Sequence, residues 1–238
     1  RFTSWFVSNY KVNLNEALLE DIDEYKHFND FLTRALKDGS RPISDSQLVS
    51  PVDGVVSQYG SIKDSLIVQA KGKKYSVEAL LAENSKNDLY TSFVTIYLSP
   101  KDYHRIHMPL DGSLKSMKYI PGSLFSVNQR TVDDIDQVFA RNERLVCYFD
   151  SEYGEIALVM VGAIFVGSME TSWEGQITPP YNKLVRTFEY DSRQIKLSKG
   201  EELGRFNMGS TVILLLPHNV SKMNFEFNKT LKMGQSLT

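Results

Sequence analysis

The chain has 238 residues, of which 42% are hydrophobic and 24% are charged, so it is long enough to bury a substantial core. Its formal net charge of −2 does not mark the chain as a whole as a nucleic-acid binder. The one cysteine, Cys147, excludes a disulfide framework and a cysteine-rich metal site, and we predict that it is a buried, reduced thiol.

The first forty residues are helical in pattern. Aromatic residues near the start have the spacing of an amphipathic helix, which would be buried in the protein or lie on a membrane surface: Phe2, Trp5, Phe6 and Tyr10. Since the chain begins with Arg, we expect a further segment upstream of it. A second helix is predicted around residues 28–36, with Asn29 as its N-cap and Gly39 as its stop. A third, short helix is predicted after Ser76.

Strands dominate from Leu48 onward. Short segments rich in β-branched and aromatic residues are separated by Gly, Pro, Asp and Asn, and no helix-length segments alternate with them. The pattern predicts the α+β class, mostly β, with an antiparallel sandwich or barrel-like core and an N-terminal helical cap. The longest apolar run, residues 156–166, is shorter than the roughly 20 residues that span a bilayer, and it predicts buried strands.

Two polar motifs could carry chemistry. Asp53 lies in the turn "SPVDG", where taken alone it is most simply a structural turn residue. His104 and His107, in "YLSPKDYHRIHMP", are three residues apart, which on a helical turn places both imidazoles on one side. A metal pair is disfavoured because no third ligand follows at a recognisable spacing. An acid or base role is favoured, with a hydrogen-bonded loop histidine as the alternative.

Two further motifs contain serine. The segment "PGSLFSVN", residues 121–128, could line a pocket or simply close a loop on the core. The segment "GRFNMGSTVILLLP" places Gly209, Ser210 and Thr211 directly before an apolar run. A turn that enters a strand is its simplest interpretation. Because the G-x-S-x-G elbow of hydrolases is absent, a conventional serine hydrolase is disfavoured.

Taken together, these motifs resemble the bacterial type of phosphatidylserine decarboxylase, a pyruvoyl-dependent proenzyme. The resemblance covers nearly the whole chain, in order and in spacing, and includes "FNDFLTRALKDGSRPI", "SPVDGVVSQYGSI", "YLSPKDYHRIHMPLDG", "YIPGSLFSVN" and "KGEELGRFNMGSTVILLLP". The family's processing motif usually reads Leu-Gly-Ser-Thr. Here Met208 stands in place of the leucine, with similar size and polarity.

The resemblance implies that residues 1–238 form one catalytic domain that cuts itself into chains 1–209 and 210–238. Ser210 would attack the carbonyl of Gly209, and elimination and hydrolysis would convert Ser210 into a pyruvoyl group. The family's relay falls on Asp53, His107 and Ser210, with His107 as the base and Asp53 orienting and stabilising its imidazole. His104 would move protons in the later decarboxylation, and the segment 121–128 would provide substrate contacts through Phe125 and Ser126.

The implied reaction converts phosphatidylserine to phosphatidylethanolamine and CO2. The pyruvoyl ketone would condense with the substrate amine and accept the electrons left by CO2, with neither a metal nor pyridoxal phosphate. The implied setting is peripheral, on the cytoplasmic face of the cell membrane, as a homodimer that binds phosphatidylserine and no nucleic acid. Two alternatives remain open: a self-processing, hydrolase-like serine enzyme without pyruvoyl chemistry, and a non-catalytic phosphatidylserine-binding module.

Overall fold

The computed structural model describes residues 2–86, 88–164, 168–190, 194–206, 210–225 and 228–238. Its α-helices are short: α1 Phe2–Tyr10, α2 Phe28–Leu32, α3 Val77–Leu81, α4 Gln129–Asp134 and α5 Val138–Arg141. Turns of 3₁₀ helix cover Ile22–Glu24 and Asn84–Lys86. Within these described ranges, no helix has both the length and the apolar character that crossing a bilayer requires.

Strands make up most of the regular structure. In chain order they are β1 Gly54–Ser61, β2 Leu66–Ala70, β3 Lys73–Ser76, β4 Ser92–Leu98, β5 Arg105–His107, β6 Gly112–Ile120, β7 Arg144–Ser151, β8 Gly154–Val161, β9 Met169–Thr171, β10 Gly175–Thr178, β11 Arg186–Glu189, β12 Lys196–Leu197, β13 Glu202–Phe206, β14 Ser210–Leu216 and β15 Thr230–Leu231.

The described strands form one large sheet and two smaller ones. The large sheet has the order β11-β6-β7-β8-β14-β4-β1-β15, and β12 also pairs with β6. The second sheet has the order β10-β9-β13-β5, and β2 and β3 form a separate hairpin. All of these pairings are antiparallel. The prediction of a mostly antiparallel β fold with an N-terminal helix is therefore confirmed, with an open sheet rather than a closed barrel.

The centre of the large sheet is covered on both faces. Every residue of β14 is buried, as is every residue of β8 after Gly154. Because side chains on both faces of these strands are removed from water, their sequences are continuous apolar runs rather than alternating ones. Cys147 is a free, buried thiol on β7, as predicted, and burial raises its pKa.

The helix predictions are confirmed in part. Helix α1 forms, and the ring of its buried Phe6 packs against Phe28 and Phe31 of α2 at centroid distances of 5.0 and 6.1 Å. Helix α3 begins after Ser76, whose hydroxyl accepts the backbone N–H of Ala79 at 3.0 Å, as predicted.

The predicted bounds of α2 are wrong. The helix begins before Asn29, after His27, because the Asp30 carboxylate accepts the His27 backbone N–H at 3.1 Å. It ends at Leu32, well before Gly39, which lies in a turn with φ of +78°.

Neighbouring strands of the large sheet share one end. Six of them are involved: β1, β7 and β14 begin at this end, and β4, β6 and β8 end at it. The register places Ser210 opposite Leu98, and it places Thr211 and Arg144 on either side of Val161. We call this the motif end, because the polar motifs of the sequence adjoin it: 50–53 precedes β1, 99–107 follows β4, 121–128 follows β6, and 210–211 begins β14.

Because the core depends on β14, we expect Leu214→Ala to be strongly destabilising. Leu214 is fully buried in this central strand, and its truncation should lower the free energy of unfolding by about 2–5 kcal/mol, measured by urea denaturation. The matched control is Leu184→Ala, since Leu184 is 72% exposed and its loss should change stability little. Equal effects of the two substitutions would contradict this account of the core.

Candidate active site

Asp53 is a buried carboxylate at the start of β1. Arg41 donates to it twice, from Nε at 2.9 Å and from Nη2 at 2.7 Å. Lys232 Nζ donates at 2.9 Å, and the backbone N–H of Met233 donates at 2.8 Å. Burial opposes ionisation, but the hydrogen bonds and charge of Arg41 outweigh it and lower the pKa of Asp53. Asp53 is therefore a fixed negative charge at the motif end.

Arg41 links this carboxylate to two further groups. Its Nη1 and Nη2 donate to the Glu16 carboxylate at 3.0 and 2.8 Å. Its guanidinium also lies over the ring of Tyr103, 5.8 Å from the centroid. The Arg41 side chain is almost fully buried, so these contacts are shielded from water.

His107, on β5, is held at three points. Its backbone N–H donates to the carbonyl of Pro51 at 2.8 Å, which ties β5 to the turn that carries Asp53. The ring Nδ1 lies 2.8 Å from the Gly200 carbonyl, and Nε2 lies 3.0 Å from the hydroxyl of Tyr103. Since a carbonyl only accepts, Nδ1 carries the proton and Nε2 has the lone pair. Burial lowers the pKa of His107, so the ring is a neutral base at pH 7.

His104 is completely buried and has one unsatisfied ring nitrogen. Its Nε2 donates to the carbonyl of Pro100 at 3.2 Å, and Nδ1 has no hydrogen-bond partner among the described residues. Burial lowers the pKa of His104 to about 4, and the charge of Arg34 adds to this effect. The backbone carbonyl of His104 accepts the N–H of Phe206, the last residue of β13.

Ser210 is the first residue of β14. It is fully buried, and its Oγ has no hydrogen-bond partner in the part of the chain that the structure describes. The chain reaches Ser210 four positions after Phe206, so the strand that contacts His104 leads into the strand that Ser210 begins. The other residue of the predicted cleavage site, Gly209, lies outside the described residues.

The loop with Phe125 and Ser126 is anchored at the same end by Asn142. The backbone N–H of Phe125 donates to Asn142 Oδ1 at 3.0 Å. Asn142 Nδ2 donates to the carbonyls of Phe125 and Gly162, at 2.8 and 2.9 Å. The hydroxyl of Ser126 accepts the backbone N–H of Asn128 at 3.3 Å.

The structure thus gathers the predicted residues at one end of the sheet without joining them directly. The charge of Asp53 raises the pKa of both imidazoles, by less than burial lowers it. Among the described hydrogen bonds, none connects Asp53 to either imidazole or either imidazole to Ser210. In the same ranges no group of three or more His, Cys, Asp and Glu side chains could hold a metal ion.

Comparison with known proteins decides the family. The family model described as phosphatidylserine decarboxylase matches residues 28–238. The chain belongs to the phosphatidylserine decarboxylase family.

Curated members of this family are similar over most of their length. The "Phosphatidylserine decarboxylase proenzyme" of Dechloromonas aromatica (strain RCB) is 50% identical over 241 residues, which cover 98% of this chain and 84% of the relative. The protein of that name from Francisella tularensis subsp. holarctica (strain FTNF002-00 / FTA) is 53% identical over 227 residues, 94% of this chain and 80% of the relative. The chain is therefore an enzyme of the decarboxylase family.

Sequence reasoning missed two residues of this candidate site, Arg41 and Tyr103. Tyr103 had a local signal, because it lies between Asp102 and His104 in "KDYHRIH" and four positions before His107. Arg41 had none, since its contacts with Asp53 and Tyr103 join parts of the chain that the sequence separates.

We expect Arg41→Gln to destabilise the protein in a pH-dependent way. Loss of the guanidinium leaves the buried Asp53 carboxylate with fewer donors, which should cost about 3–5 kcal/mol of unfolding free energy at pH 7. Because the folded pKa of Asp53 is lowered, its contribution is present above its unfolded pKa and is lost as the pH falls through the folded value. The cost should therefore shrink towards pH 3 in urea denaturation.

The matched control for this prediction is Lys37→Gln. Lys37 forms an ion pair with Glu20 in which both side chains are exposed, so its loss should change stability by less than about 1 kcal/mol. A cost of Arg41→Gln that stayed constant between pH 7 and pH 3 would show that the charge of Asp53 is not its source.

Proposed function

We propose that this chain decarboxylates the serine head group of phosphatidylserine, giving phosphatidylethanolamine and CO2, with a pyruvoyl group made from its own Ser210. The observation that carries the proposal is the buried, unpartnered hydroxyl of Ser210 at the end of the sheet that also holds two neutral imidazoles. The word "proenzyme" in the names of the relatives supports a step of self-cleavage.

The residues present fit such a group. Position 210 is enclosed, and β14 is hydrogen-bonded to β4 along its whole length and to β8 from Thr211 onward, so a ketone formed there would be fixed in place. A ketone oxygen needs no acceptor, whereas the present hydroxyl is a donor without one. When formed, the group supplies an electron-accepting carbonyl.

For self-cleavage, Ser210 Oγ would attack the carbonyl carbon of Gly209. The C–O bond forms, the Gly209–Ser210 C–N bond breaks, and the amine of residue 210 takes the proton, which leaves the two pieces joined by an ester. Elimination across the Cα–Cβ bond of residue 210 would then release the Gly209 carboxylate, and hydrolysis of the resulting enamine would release ammonia and leave the ketone. A serine hydroxyl needs a base for this attack, and His107 Nε2 provides the lone pair. The Tyr103 hydroxyl donates to that nitrogen and must turn away from it, or relay the proton, when His107 acts.

Asp53 would assist His107 through its charge. Protonation of a buried imidazole is costly, and the nearby carboxylate reduces that cost, as its effect on the pKa of His107 shows. Orientation of the ring is provided by the carbonyl of Gly200, which accepts from Nδ1.

For decarboxylation, His104 would carry the proton, because its Nδ1 is a neutral, unpartnered base in a buried setting. Phe125 and Ser126 would contact the substrate from the loop that Asn142 holds. We further propose that the two chains, 1–209 and 210–238, remain one domain and act as a homodimer on the cytoplasmic face of the membrane. The exposed Phe2 and Trp5 of α1 support contact with lipid.

We expect Ser210→Ala to remain one uncut polypeptide that releases no CO2. Alanine has no nucleophile, so neither the backbone cut nor the ketone can form. The masses of the polypeptides under denaturing conditions give the result, with Ser61→Ala, at an exposed position, as the serine control that should cut normally. An intact wild-type chain without a ketone would favour the hydrolase-like or the lipid-binding alternative.

Substitutions of the two histidines should affect different stages of the reaction. His107→Ala should remain uncut, because it lacks the base for the attack by Ser210. His104→Ala should cut normally and decarboxylate about 10²–10⁴-fold more slowly, as expected for the loss of one acid–base group. Denaturing mass spectrometry measures the first stage and CO2 release the second. The reverse outcome would exchange the two roles.

A further inference from the structure

Glu143 is a buried carboxylate for which the proposed mechanism has no use. It directly precedes β7, is 3% exposed, and accepts a hydrogen bond from the Tyr119 hydroxyl at 2.5 Å. Within the described ranges it forms no ion pair, whereas Asp53 is paired with Arg41 and Lys232, and Glu155 with Lys86 and Lys115. Burial raises the pKa of Glu143, as expected where no cation offsets the cost of desolvation.

The register of the sheet places Glu143 in a row with Ser210. Arg144 and Thr211 both lie opposite Val161, so one further step towards the motif end puts Glu143, Gly162 and Ser210 side by side. The backbone N–H of Gly162 donates to the Glu143 carbonyl at 2.9 Å, which supports this continuation. Residues directly opposite each other in antiparallel strands present their side chains on the same face.

Gly162 has no side chain and therefore leaves space between Glu143 and Ser210. A Cβ built on Gly162 would lie 3.6 Å from Glu143 Oε2 and 3.6 Å from the Cδ2 of Leu124, so both groups border the position of its missing side chain. The strand that Ser210 begins is one spacing away, about 4.8 Å. The carboxylate of Glu143 therefore lies beside the face on which residue 210 presents its side chain.

We propose that Glu143 binds the protonated amine of the substrate's serine head group and presents it to residue 210, an inference that rests on the proposed function. The amine is the part of the substrate that must reach the carbonyl at position 210, and the proton that it loses to become a nucleophile would pass to the Glu143 carboxylate. A primary ammonium is a compact cation with donors for a carboxylate, and each group offsets the desolvation of the other. Leu124 would provide the apolar wall of this subsite.

The test uses the mature enzyme and reduction by borohydride, which fixes an amine to the ketone and adds its mass to fragment 210–238. Glu143→Gln keeps the size of the side chain and an acceptor for Tyr119, and it removes the charge. We expect normal self-cleavage, and a rise of at least about 10-fold in the concentration of dicaproyl phosphatidylserine that gives half-maximal tagging. Hydroxylamine, which is uncharged at pH 7, should tag the variant as it tags the wild type.

Glu155→Gln is the matched control. Glu155 is also a buried carboxylate that accepts a tyrosine hydroxyl, from Tyr90, but it is paired with lysines at the other end of β8. This substitution should leave the half-maximal concentration of phosphatidylserine unchanged.

A second variant, Gly162→Ala, keeps the charge of Glu143 and adds a methyl group between it and residue 210. Its closest contact would be 3.3 Å from the Glu143 backbone carbonyl oxygen, which a shift of a few tenths of an ångström relieves, so the chain should fold and cut itself. This variant therefore decides the question if Glu143→Gln does not fold. We expect the same rise in the concentration of phosphatidylserine that gives half-maximal tagging, and we expect tagging by hydroxylamine to be unchanged. A half-maximal concentration equal to that of the wild type in either folded variant would overturn the role of Glu143. Wild-type protein that hydroxylamine cannot tag would instead overturn the pyruvoyl proposal itself.

Discussion

The antiparallel register of the central strands is the constraint on which the site depends. Because neighbouring strands run in opposite directions, the starts of β1, β7 and β14 coincide with the ends of β4 and β8. Segments that are far apart in sequence therefore meet at the motif end. Since both faces of β8 and β14 are buried, a slip of one residue would move every side chain to the opposite face, and packing holds the register in place.

Electrostatics divides the motif end into two sides. On the side of β1, Asp53 is neutralised by Arg41 and Lys232, and Arg41 extends this network to Glu16. On the side of β7, the one hydrogen-bond partner of the Glu143 carboxylate among the described residues is the hydroxyl of Tyr119. Ser210 lies between them on β14. The side with a satisfied carboxylate suits proton transfer within the protein, whereas the unpaired carboxylate suits a cation that arrives with the substrate.

The sequence was sufficient for the class of fold, and it indicated candidate residues that the structure gathers at the motif end, but not Arg41 or Tyr103. Runs such as 212–216 are too short for a typical helix and predict buried strands. A serine before a helical pattern, as at Ser76, caps the helix through a local hydrogen bond to the backbone N–H of Ala79. The start of α2 was predicted wrongly because the Asp30 carboxylate accepts the His27 backbone N–H, so the helix begins directly after His27. The partners of Asp53 could not be predicted from the sequence, since Arg41 and Lys232 approach it only through tertiary folding.

Asp53 also explains why a cut before Ser210 would not release the C-terminal segment. Two of the four hydrogen bonds that Asp53 accepts come from that segment, from Lys232 Nζ and from the backbone N–H of Met233. Backbone hydrogen bonds join the same segment to residues 48–50: Ser50 donates to Gln235, Gly234 donates to Ser50, and Leu237 donates to Leu48.

With β14 paired on both edges, both pieces would share one core after the proposed cleavage. The fixed charge of Asp53 would then serve two purposes. It would stabilise the imidazolium during the attack by Ser210, and through Lys232 and Met233 it would hold the C-terminal segment on the domain.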